Sequence, residues 1–416
     1  MPRRFTARHP GATCQVLLHK LAALPTEGCA SNARQELRWL CEHAQGMFPV
    51  RPSPTPLNIT GPRSPQSLSR AEMIDAEYLP RTASHRPPLP RAAIPNPTQR
   101  AQHRQDRWLR RAVFDRTWHR KPLQYILGSQ PFGDLDVLTR PPTLIPRWET
   151  EEWVLQLTRW LAPFLAPRDG SISRDIPSLR IADLCTGSGC IALLLASTLP
   201  TGSAKLVGVD RSLAAYTLAS DNHTYNRSKL RNPLAFIQAD VLAKELPDRL
   251  AESFARLKPS GMDPSGGTET QPGVVDLVVA NPPYVAGREF VTLEPEVRVW
   301  EDRDALVPRM PTAEVDAHIL DLGVEFYMRL IPTLVERGLL VTPDSTPLTS
   351  SDKQGQDRPL QQLGAESAPP ARPKVVLEIG GRHQTRPVAQ CLLDQGFDGV
   401  GIWSDLAGVE RALVAW

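Results

Sequence analysis

The chain has 416 residues, of which 42 are proline, and its 48 Lys and Arg against 45 Asp and Glu leave a net charge of +3. At roughly 150 residues per domain this length predicts two or three domains, and the clustered prolines indicate a folded protein with unstructured insertions. Six scattered cysteines, none in a Cys-x-x-Cys pair, predict no metal site and a reducing compartment. No run of eighteen apolar residues occurs, so no membrane span is predicted.

The N-terminal third carries the basic excess, because residues 1–121 hold 20 Lys and Arg against 8 Asp and Glu. Either a partner that works beside RNA or an Arg-rich solvated segment would explain this, and we expect no direct nucleic-acid binding. Residues 1–30 contain three arginines in the first eight positions, an apolar stretch and no acid before Glu27, which is typical of a mitochondrial transit peptide. We therefore expect the mitochondrial matrix, with the cytoplasm as the alternative.

Two helical patterns lie between residues 31 and 125. The first covers 32–46 and stops at a glycine, and the second covers 99–119 with an aromatic stripe that we interpret as core. Segments 49–69 and 80–97 are rich in Pro, Ser and Arg and are predicted to be linker or insertion. A small helical domain with interruptions follows from this pattern.

Beyond residue 176, short apolar runs alternate with helical segments, which predicts an α/β fold with a doubly wound parallel sheet buried on both faces. The predicted strands are 179–184, 205–210, 234–239, 275–280 and 374–379. Segments 251–273 and 343–373 lack periodicity and are too long for ordinary connections, so we predict that both are surface insertions.

The first strand runs directly into a glycine turn and then a helix. Asp183 precedes Gly187 and Gly189 in the pattern acid-x-x-x-Gly-x-Gly, which lets the backbone approach a nucleotide and is the form typical of class I methyltransferases. Asp210 and Asp240 end the next two strands. Each acid alone could merely cap the following helix, but three in order predict a cofactor that contains a nucleoside.

The sequence Asn281-Pro282-Pro283-Tyr284 follows the fourth strand, at the sheet edge where ligands bind. Since prolines have no N–H group, the Asn281 side-chain oxygen and the Pro282 carbonyl can converge as acceptors on an NH2 group, while Tyr284 supplies a flat face. An amide nitrogen oriented in this way can direct its lone pair at a methyl donor. The alternative is a rigid loop without a chemical role.

With these motifs the chain resembles the HemK/PrmC family of release factor glutamine methyltransferases. The resemblance also rests, in family order, on residues 121–137, 143–154, 293–306, 375–380 and 405–416. It implies a Rossmann-like class I methyltransferase sheet in 161–416, after a helical substrate-binding domain (31–125) and a linker hairpin region (126–160). It further implies S-adenosylmethionine as cofactor, the GGQ-loop glutamine of a class 1 release factor as substrate, N5-methylglutamine as product, and a monomer.

The resemblance also assigns residues. Cofactor contacts would come from Asp183, Thr186, Gly187, Ser188, Gly189, Asp210, Asp240, Val241 and Asn281. The catalytic residues would be Asn281, Pro282 and Tyr284. The target amide would be held by Asn281, Pro282, Pro283 and Tyr284. Arg147 and Glu149 would either contact the cofactor or the release factor, or form a salt-bridged hinge between domains.

Two positions depart from the family pattern. Cys185 stands where the family has Gly, and Trp148 where it has Pro. We expect the cysteine to fit if its φ is negative.

Two other functions stay open at this point. The first is an adenine-N6 or other amino-group methyltransferase of nucleic acid, which would share the Asn-Pro-Pro-Tyr motif. The second is an inactive scaffold that binds a translation factor. Residues 122–128 and 144–151 favour the glutamine enzyme, and the sequence holds no second globular domain for base recognition.

Overall fold

The computed structural model describes residues 17–23, 29–49, 96–165, 178–257, 275–308, 322–340, 360–364 and 371–416. The chain divides into two compact units, Met1–His119 and Arg120–Trp416. Most of the two N-terminal proline-rich segments and most of both predicted insertions lie outside the described residues. The same holds for the predicted transit peptide, apart from residues 17–23 and 29–30, of which 17–22 form a short helix and 29–30 begin the next one.

The first unit contains helices α1 (Cys29–Met47) and α2 (Pro97–Thr117). Both predicted helices are present: α1 is slightly longer than expected, and α2 has the expected length but lies two residues nearer the N-terminus. Asn96 starts α2 with a capping box, in which its side chain accepts from the Gln99 N–H and its own N–H donates to the Gln99 side chain. Pro97 is favourable at the first position of a helix. Residues 96 and 97 of the predicted linker 80–97 therefore belong to the start of α2.

Helices α1 and α2 pack through apolar residues and one ion pair. Leu40 of α1 and Val113 of α2 are fully buried. Arg116 donates to both carboxylate oxygens of Glu36, at 3.1 Å and 3.0 Å, with little exposure of either side chain. The two helices therefore share a small core, but the interpretation of the aromatic stripe as core was largely wrong. Trp108 is half-buried, whereas Phe114 is 41% exposed and Trp118 is 75% exposed.

The second unit begins with α3 (Leu123–Leu127), the hairpin strands β1 (Ser129–Phe132) and β2 (Leu135–Leu138), and α4 (Trp148–Leu165). The large sheet and its helices then follow in chain order. These are β3 (Leu179–Leu184), α5 (Cys190–Thr198), β4 (Ala204–Asp210), α6 (Leu213–Asn226), β5 (Leu234–Gln238), α7 (Leu246–Arg256), β6 (Leu277–Ala280), α8 (Gly287–Phe290), α9 (Pro295–Trp300), α10 (Arg303–Leu306), α11 (Glu325–Glu336), β7 (Gln361–Gln362), β8 (Val375–Glu378), α12 (Arg382–Asp394), β9 (Val400–Ser404) and β10 (Glu410–Ala415).

The large sheet has eight strands in the order β5-β4-β3-β6-β8-β10-β9-β7. Strands β5 to β8 in this order are parallel neighbours, whereas β10 pairs antiparallel with both β8 and β9. The order reverses on either side of β3, which is the switch point where doubly wound sheets bind ligands. The predicted Rossmann-like class I methyltransferase sheet is confirmed.

The sheet is covered on both faces. Successive residues of β3 point to opposite sides, so that Leu179 and Ile181 join one apolar cluster while Ala182 and Leu184 join the other. Helix α4 belongs to the first of these clusters through Trp153 and other residues. The covered faces leave the carboxyl edge of the sheet as the place for a site.

Both predicted insertions contain residues that belong to regular secondary structure. Residues 251–256 belong to helix α7, because Leu246, Leu250 and Phe254 repeat every four residues and are buried against the sheet, so the predicted start at 251 was wrong. Within 343–373, the two residues of β7 pair in parallel with β9. The predicted insertion therefore contains an edge strand.

Candidate active site

A cavity of about 410 Å³ lies at the carboxyl edge of β3, β4, β5 and β6. Its volume falls in the range of small-molecule sites, roughly 300–1,000 Å³. The strand ends contribute Cys185, Gly187, Asp210, Asp240, Val241, Asn281 and Pro283 to its wall. Residues 142–144, 302, 304 and 305, together with Phe326 and Arg329, complete much of the remaining wall.

The glycine turn after β3 contains two glycines with positive φ. Gly187 has φ 56° and Gly189 has φ 83°. Gly187 lines the cavity and donates its N–H to Asp210 Oδ2 at 2.9 Å. Gly189 does not line it; a Cβ there would lie 2.7 Å from the Phe236 ring. The first glycine therefore opens the backbone to the cavity, and the second permits close helix-to-strand packing.

Asp210 is held firmly at the end of β4. Besides the Gly187 bond, its Oδ1 accepts from the Ser212 N–H at 2.8 Å. Burial raises the pKa of the Asp210 carboxyl, and the two backbone donors oppose that rise. Each oxygen keeps lone-pair capacity toward the cavity, so this carboxylate can accept hydrogen bonds from a vicinal diol. Asp240 also lines the cavity and accepts from the Leu242 N–H at 2.8 Å.

Asp183 lies behind the turn and not in the cavity wall. It is 1% exposed, and its Oδ2 accepts from the Thr186 hydroxyl and from the Ala192 N–H. Burial raises its pKa to about 7. Thr186, Ser188 and Gly189 also lie outside the wall, so contacts of these four residues with a cofactor stay predictions. What the structure shows is that they stabilise the glycine turn.

Cys185 lines the cavity with φ 59°, so the negative φ that would let a cysteine fit without strain is not present. Glycine adopts this conformation without strain, whereas a residue with a Cβ loses roughly 1–2 kcal/mol. Burial, with Asp210 nearby, raises the pKa of the thiol well above its usual value, so the thiol is protonated at neutral pH. The departure from the family pattern therefore costs local strain without creating a nucleophile.

The Asn281–Tyr284 loop brings only part of the predicted set to the cavity. Asn281 and Pro283 line it, while Pro282 and Tyr284 do not. The Tyr284 hydroxyl donates to Glu378 Oε1 at 3.3 Å, and the Tyr284 carbonyl accepts from Gln384 Nε2 at 2.8 Å. Direct contact of Pro282 and Tyr284 with a substrate amide stays a prediction.

Glu378, at the end of β8, is the centre of a buried network beneath this loop. It is 2% exposed, and its Oε2 accepts from the Thr150 hydroxyl at 2.6 Å and from Trp153 Nε1 at 2.8 Å. Asn281 Nδ2 in turn donates to Thr150 Oγ1 at 3.3 Å. Burial raises the pKa of Glu378, and its donors oppose the rise. Thr150 and Glu378 were not predicted from the sequence, although both lie in motifs that carry the family resemblance.

Arg147 and Glu149 both form ion pairs within the second unit. Arg147 donates to Glu301, whose side chain is 1% exposed. Glu149 lies 3.9 Å from Arg411. The predicted salt bridges are therefore observed, but all four residues belong to one unit and do not form a hinge between the two units. Neither Arg147 nor Glu149 lines the cavity. Trp148, between them, is half exposed.

One wall of the cavity is formed by segments that are far apart in the sequence and held together by polar contacts. The Asp302 N–H donates to the Pro142 carbonyl at 2.7 Å, and Arg211 pairs with Asp304 at 3.0 Å. These contacts bring the segment after β2 and the segment around α10 together over the strand ends. The sequence offered no signal for this wall beyond the matching stretches 143–154 and 293–306.

The described part of the chain offers neither a metal centre nor a membrane-spanning helix. There, no group of three or more His, Cys, Asp or Glu side chains is placed to hold a metal ion. Over the same residues, no helix combines the length and the apolar composition that crossing a bilayer requires.

Comparison with known proteins confirms the family resemblance. The chain is 34% identical over 206 residues to the mitochondrial MRF1 N(5)-glutamine methyltransferase MTQ1 of Saccharomyces cerevisiae, covering 49% of this chain and 54% of that protein. It is 32% identical over 213 residues to the MTRF1L release factor glutamine methyltransferase of Homo sapiens, covering 51% and 54%. It is 31% identical over 226 residues to the release factor glutamine methyltransferase of Geobacter sulfurreducens, covering 54% and 60%.

The chain thus spans just over half the length of these curated relatives. No protein-family model matches it. Among solved structures, a METTL16 methyltransferase domain is 16% identical, with a TM-score of 0.36, over 68% of this chain and 88% of that one. A likeness of that strength says nothing about function.

Proposed function

We propose that this protein is an S-adenosylmethionine-dependent methyltransferase that modifies the side-chain nitrogen of a glutamine in the GGQ loop of a class 1 release factor. The observation that carries the proposal is the position of Asn281, in the wall of the same cavity as Asp210. An amide-binding group thereby adjoins a nucleoside-binding carboxylate. The names of the relatives supply the identity of the substrate.

The cavity suits the proposed cofactor in size and charge. Asp210 would accept hydrogen bonds from the ribose hydroxyls, and Asp240 and Val241 would lie at the adenine. The wall also holds Arg211, which pairs with Asp304, and Arg329, so its four aspartates, at 210, 240, 302 and 304, outnumber its two arginines. This acidic excess favours a ligand that carries a positively charged sulfonium and amino group. When bound, S-adenosylmethionine would supply an activated methyl group on sulfur, so no metal is needed to activate it.

The residues of this chain would act on the target amide by orientation. An amide nitrogen is a poor nucleophile, because its lone pair is delocalised into the carbonyl. The Asn281 Oδ1 and the Pro282 carbonyl would accept the two N–H groups and hold the nitrogen with its lone pair toward the methyl carbon. As the N–C bond forms, the C–S electron pair returns to sulfur, and the nitrogen releases one proton to solvent.

We propose that the protein is located in the mitochondrion. The support is the Arg-rich, acid-poor start of the chain and the mitochondrial designation of the yeast relative. A mitochondrial matrix location would make the organellar release factor the substrate. We further propose that the enzyme acts as a monomer that contacts its protein substrate transiently and needs no nucleic acid.

Labelled transfer tests the proposed function. The purified protein is incubated with methyl-labelled S-adenosylmethionine and a mitochondrial class 1 release factor, either wild type or with its GGQ glutamine replaced by alanine. Label in the wild-type factor alone is the expected result. Equal label in both factors would place the modification elsewhere. Label in added RNA or DNA, with none in the factor, would favour the nucleic-acid alternative.

A further inference from the structure

A chain of hydrogen bonds runs from the cavity wall into the protein interior. Asn281 Nδ2 donates to Thr150 Oγ1 at 3.3 Å, and Thr150 Oγ1 donates to Glu378 Oε2 at 2.6 Å. Thr150 and Glu378 are each 2% exposed, whereas Asn281 is half-buried and lines the cavity. Asn281 is therefore the only member of this three-residue chain that lies in the cavity wall.

The donors and acceptors in this chain have a fixed direction. Glu378 Oε2 accepts from both Thr150 and Trp153, whose indole N–H can only donate. The single hydroxyl proton of Thr150 is used in its bond to Glu378, so Thr150 Oγ1 can only accept from Asn281. Asn281 must therefore direct its NH2 group at Thr150. Its Oδ1 is then the amide atom left for the cavity.

We propose that Thr150 is a positioning residue, aligned by Glu378, that fixes the Asn281 amide with its oxygen toward the cavity. The proposal rests on the proposed function, in which Asn281 Oδ1 accepts from a substrate NH2 group. A flipped Asn281 amide would oppose that NH2 with its own NH2, and two donors cannot hydrogen-bond to each other. Thr150 thus excludes the unproductive orientation before the substrate arrives.

Buried placement makes Thr150 suited to this task. Its first-turn position in α4 puts the hydroxyl between two elements, the β6 end and the β8 end, which are 131 and 228 positions away in the chain. Leaving a buried hydroxyl without a hydrogen-bond partner costs free energy, so the bond to Glu378 holds the Thr150 hydroxyl in one orientation. Glu378 also receives the Tyr284 hydroxyl, so one carboxylate supports both ends of the Asn281–Tyr284 loop.

Two variants separate the hydroxyl from the shape of the side chain. Thr150→Val keeps the branched shape and removes the hydroxyl, and Thr150→Ser keeps the hydroxyl and removes a methyl group. The full-length protein is measured for cofactor affinity by calorimetry and for kcat and KM with the release factor. The side-chain NH2 signals of Asn281, assigned through Asn281→Ala, are followed by NMR in ¹⁵N-asparagine-labelled, cofactor-bound protein without release factor.

The expected result is a kcat about tenfold lower for Thr150→Val, equivalent to the loss of one oriented hydrogen bond, with cofactor affinity retained. The Asn281 NH2 signals should shift and exchange faster with water. Thr150→Ser should restore both the rate and the signals. A purely structural role would instead lower the cofactor affinity of Thr150→Val, and Thr150→Ser, with its lost methyl group, would fail to restore the rate.

Two results overturn the proposal. One is an Asn281 NH2 signal in Thr150→Val that matches the wild type, whatever the rate. The other is a Thr150→Ser variant as slow as Thr150→Val. Failure of the proposed function has a separate sign, because the wild type would then transfer no methyl to the release factor, while the NMR comparison would still decide the orientation of Asn281.

Discussion

The buried ion pair between Arg147 and Glu301 yields a prediction with a definite size. The Glu301 side chain is 1% exposed and that of Arg147 is 32% exposed. Arg147→Met keeps a long side chain and leaves the Glu301 carboxylate buried without its partner. Breaking a buried pair costs about 3–5 kcal/mol, and the partial exposure of Arg147 favours the lower end, about 3 kcal/mol.

The size of this loss should depend on pH. Burial raises the pKa of Glu301 above its usual 4.5, and Arg147 opposes that rise. Without Arg147 the folded-state pKa rises further, so the folded protein favours the protonated carboxyl. The deficit of Arg147→Met should therefore be largest at neutral pH. It should shrink as the pH falls through the raised pKa toward 4.5.

Urea denaturation at several pH values, followed by the fluorescence of the nine tryptophans, measures this effect. The control is Arg147→Met combined with Glu301→Gln, which removes the unpaired charge and should recover most of the stability at neutral pH. The reasoning fails if the single variant loses less than about 0.5 kcal/mol at pH 7.5, if the loss does not vary with pH, or if the double variant recovers nothing.

Three further predictions concern the cavity. Asp210→Asn should weaken cofactor binding about tenfold to hundredfold, as the loss of a charged acceptor implies, and an unchanged calorimetric affinity would contradict the assigned role. Asn281→Ala should lose methyl transfer with cofactor affinity intact; weaker cofactor binding with transfer restored at saturation would contradict it. Cys185→Gly should be neutral or stabilising by up to about 1 kcal/mol in thermal denaturation, and Cys185→Val should lie about 2 kcal/mol below it, whereas equal stabilities would refute the strain argument.

The parallel core of the fold could be predicted from the sequence because its strands are continuous apolar runs. The five predicted strands lie within two residues of the observed ones. Strands β9 and β10 were missed, although the final stretch 405–416 was recognised as a family match. Their pairing is long-range, with β10 inserted between β8 and β9, and such partners are set by tertiary packing rather than by local pattern.

Some residues of the candidate site could likewise be predicted from the sequence, and others could not. Asp210, Asp240 and Asn281 could be predicted to meet because parallel strands end at one edge of a sheet. Thr150 and Glu378 could not, because their hydrogen bond joins residues 228 positions apart and depends on how α4 packs beside β8. Asp183 was expected in the cavity because it belongs to the glycine motif, but its side chain turns inward to hold the turn.

The most direct measurement of the central claim is the mass of the GGQ-loop peptide from a release factor treated with the wild-type protein and S-adenosylmethionine, compared with treatment by Asn281→Ala. The account predicts one added methyl group on the glutamine side-chain nitrogen with the wild type and none with the variant. A peptide left unmodified by a wild-type protein that binds the cofactor, or equally modified by both proteins, would contradict it.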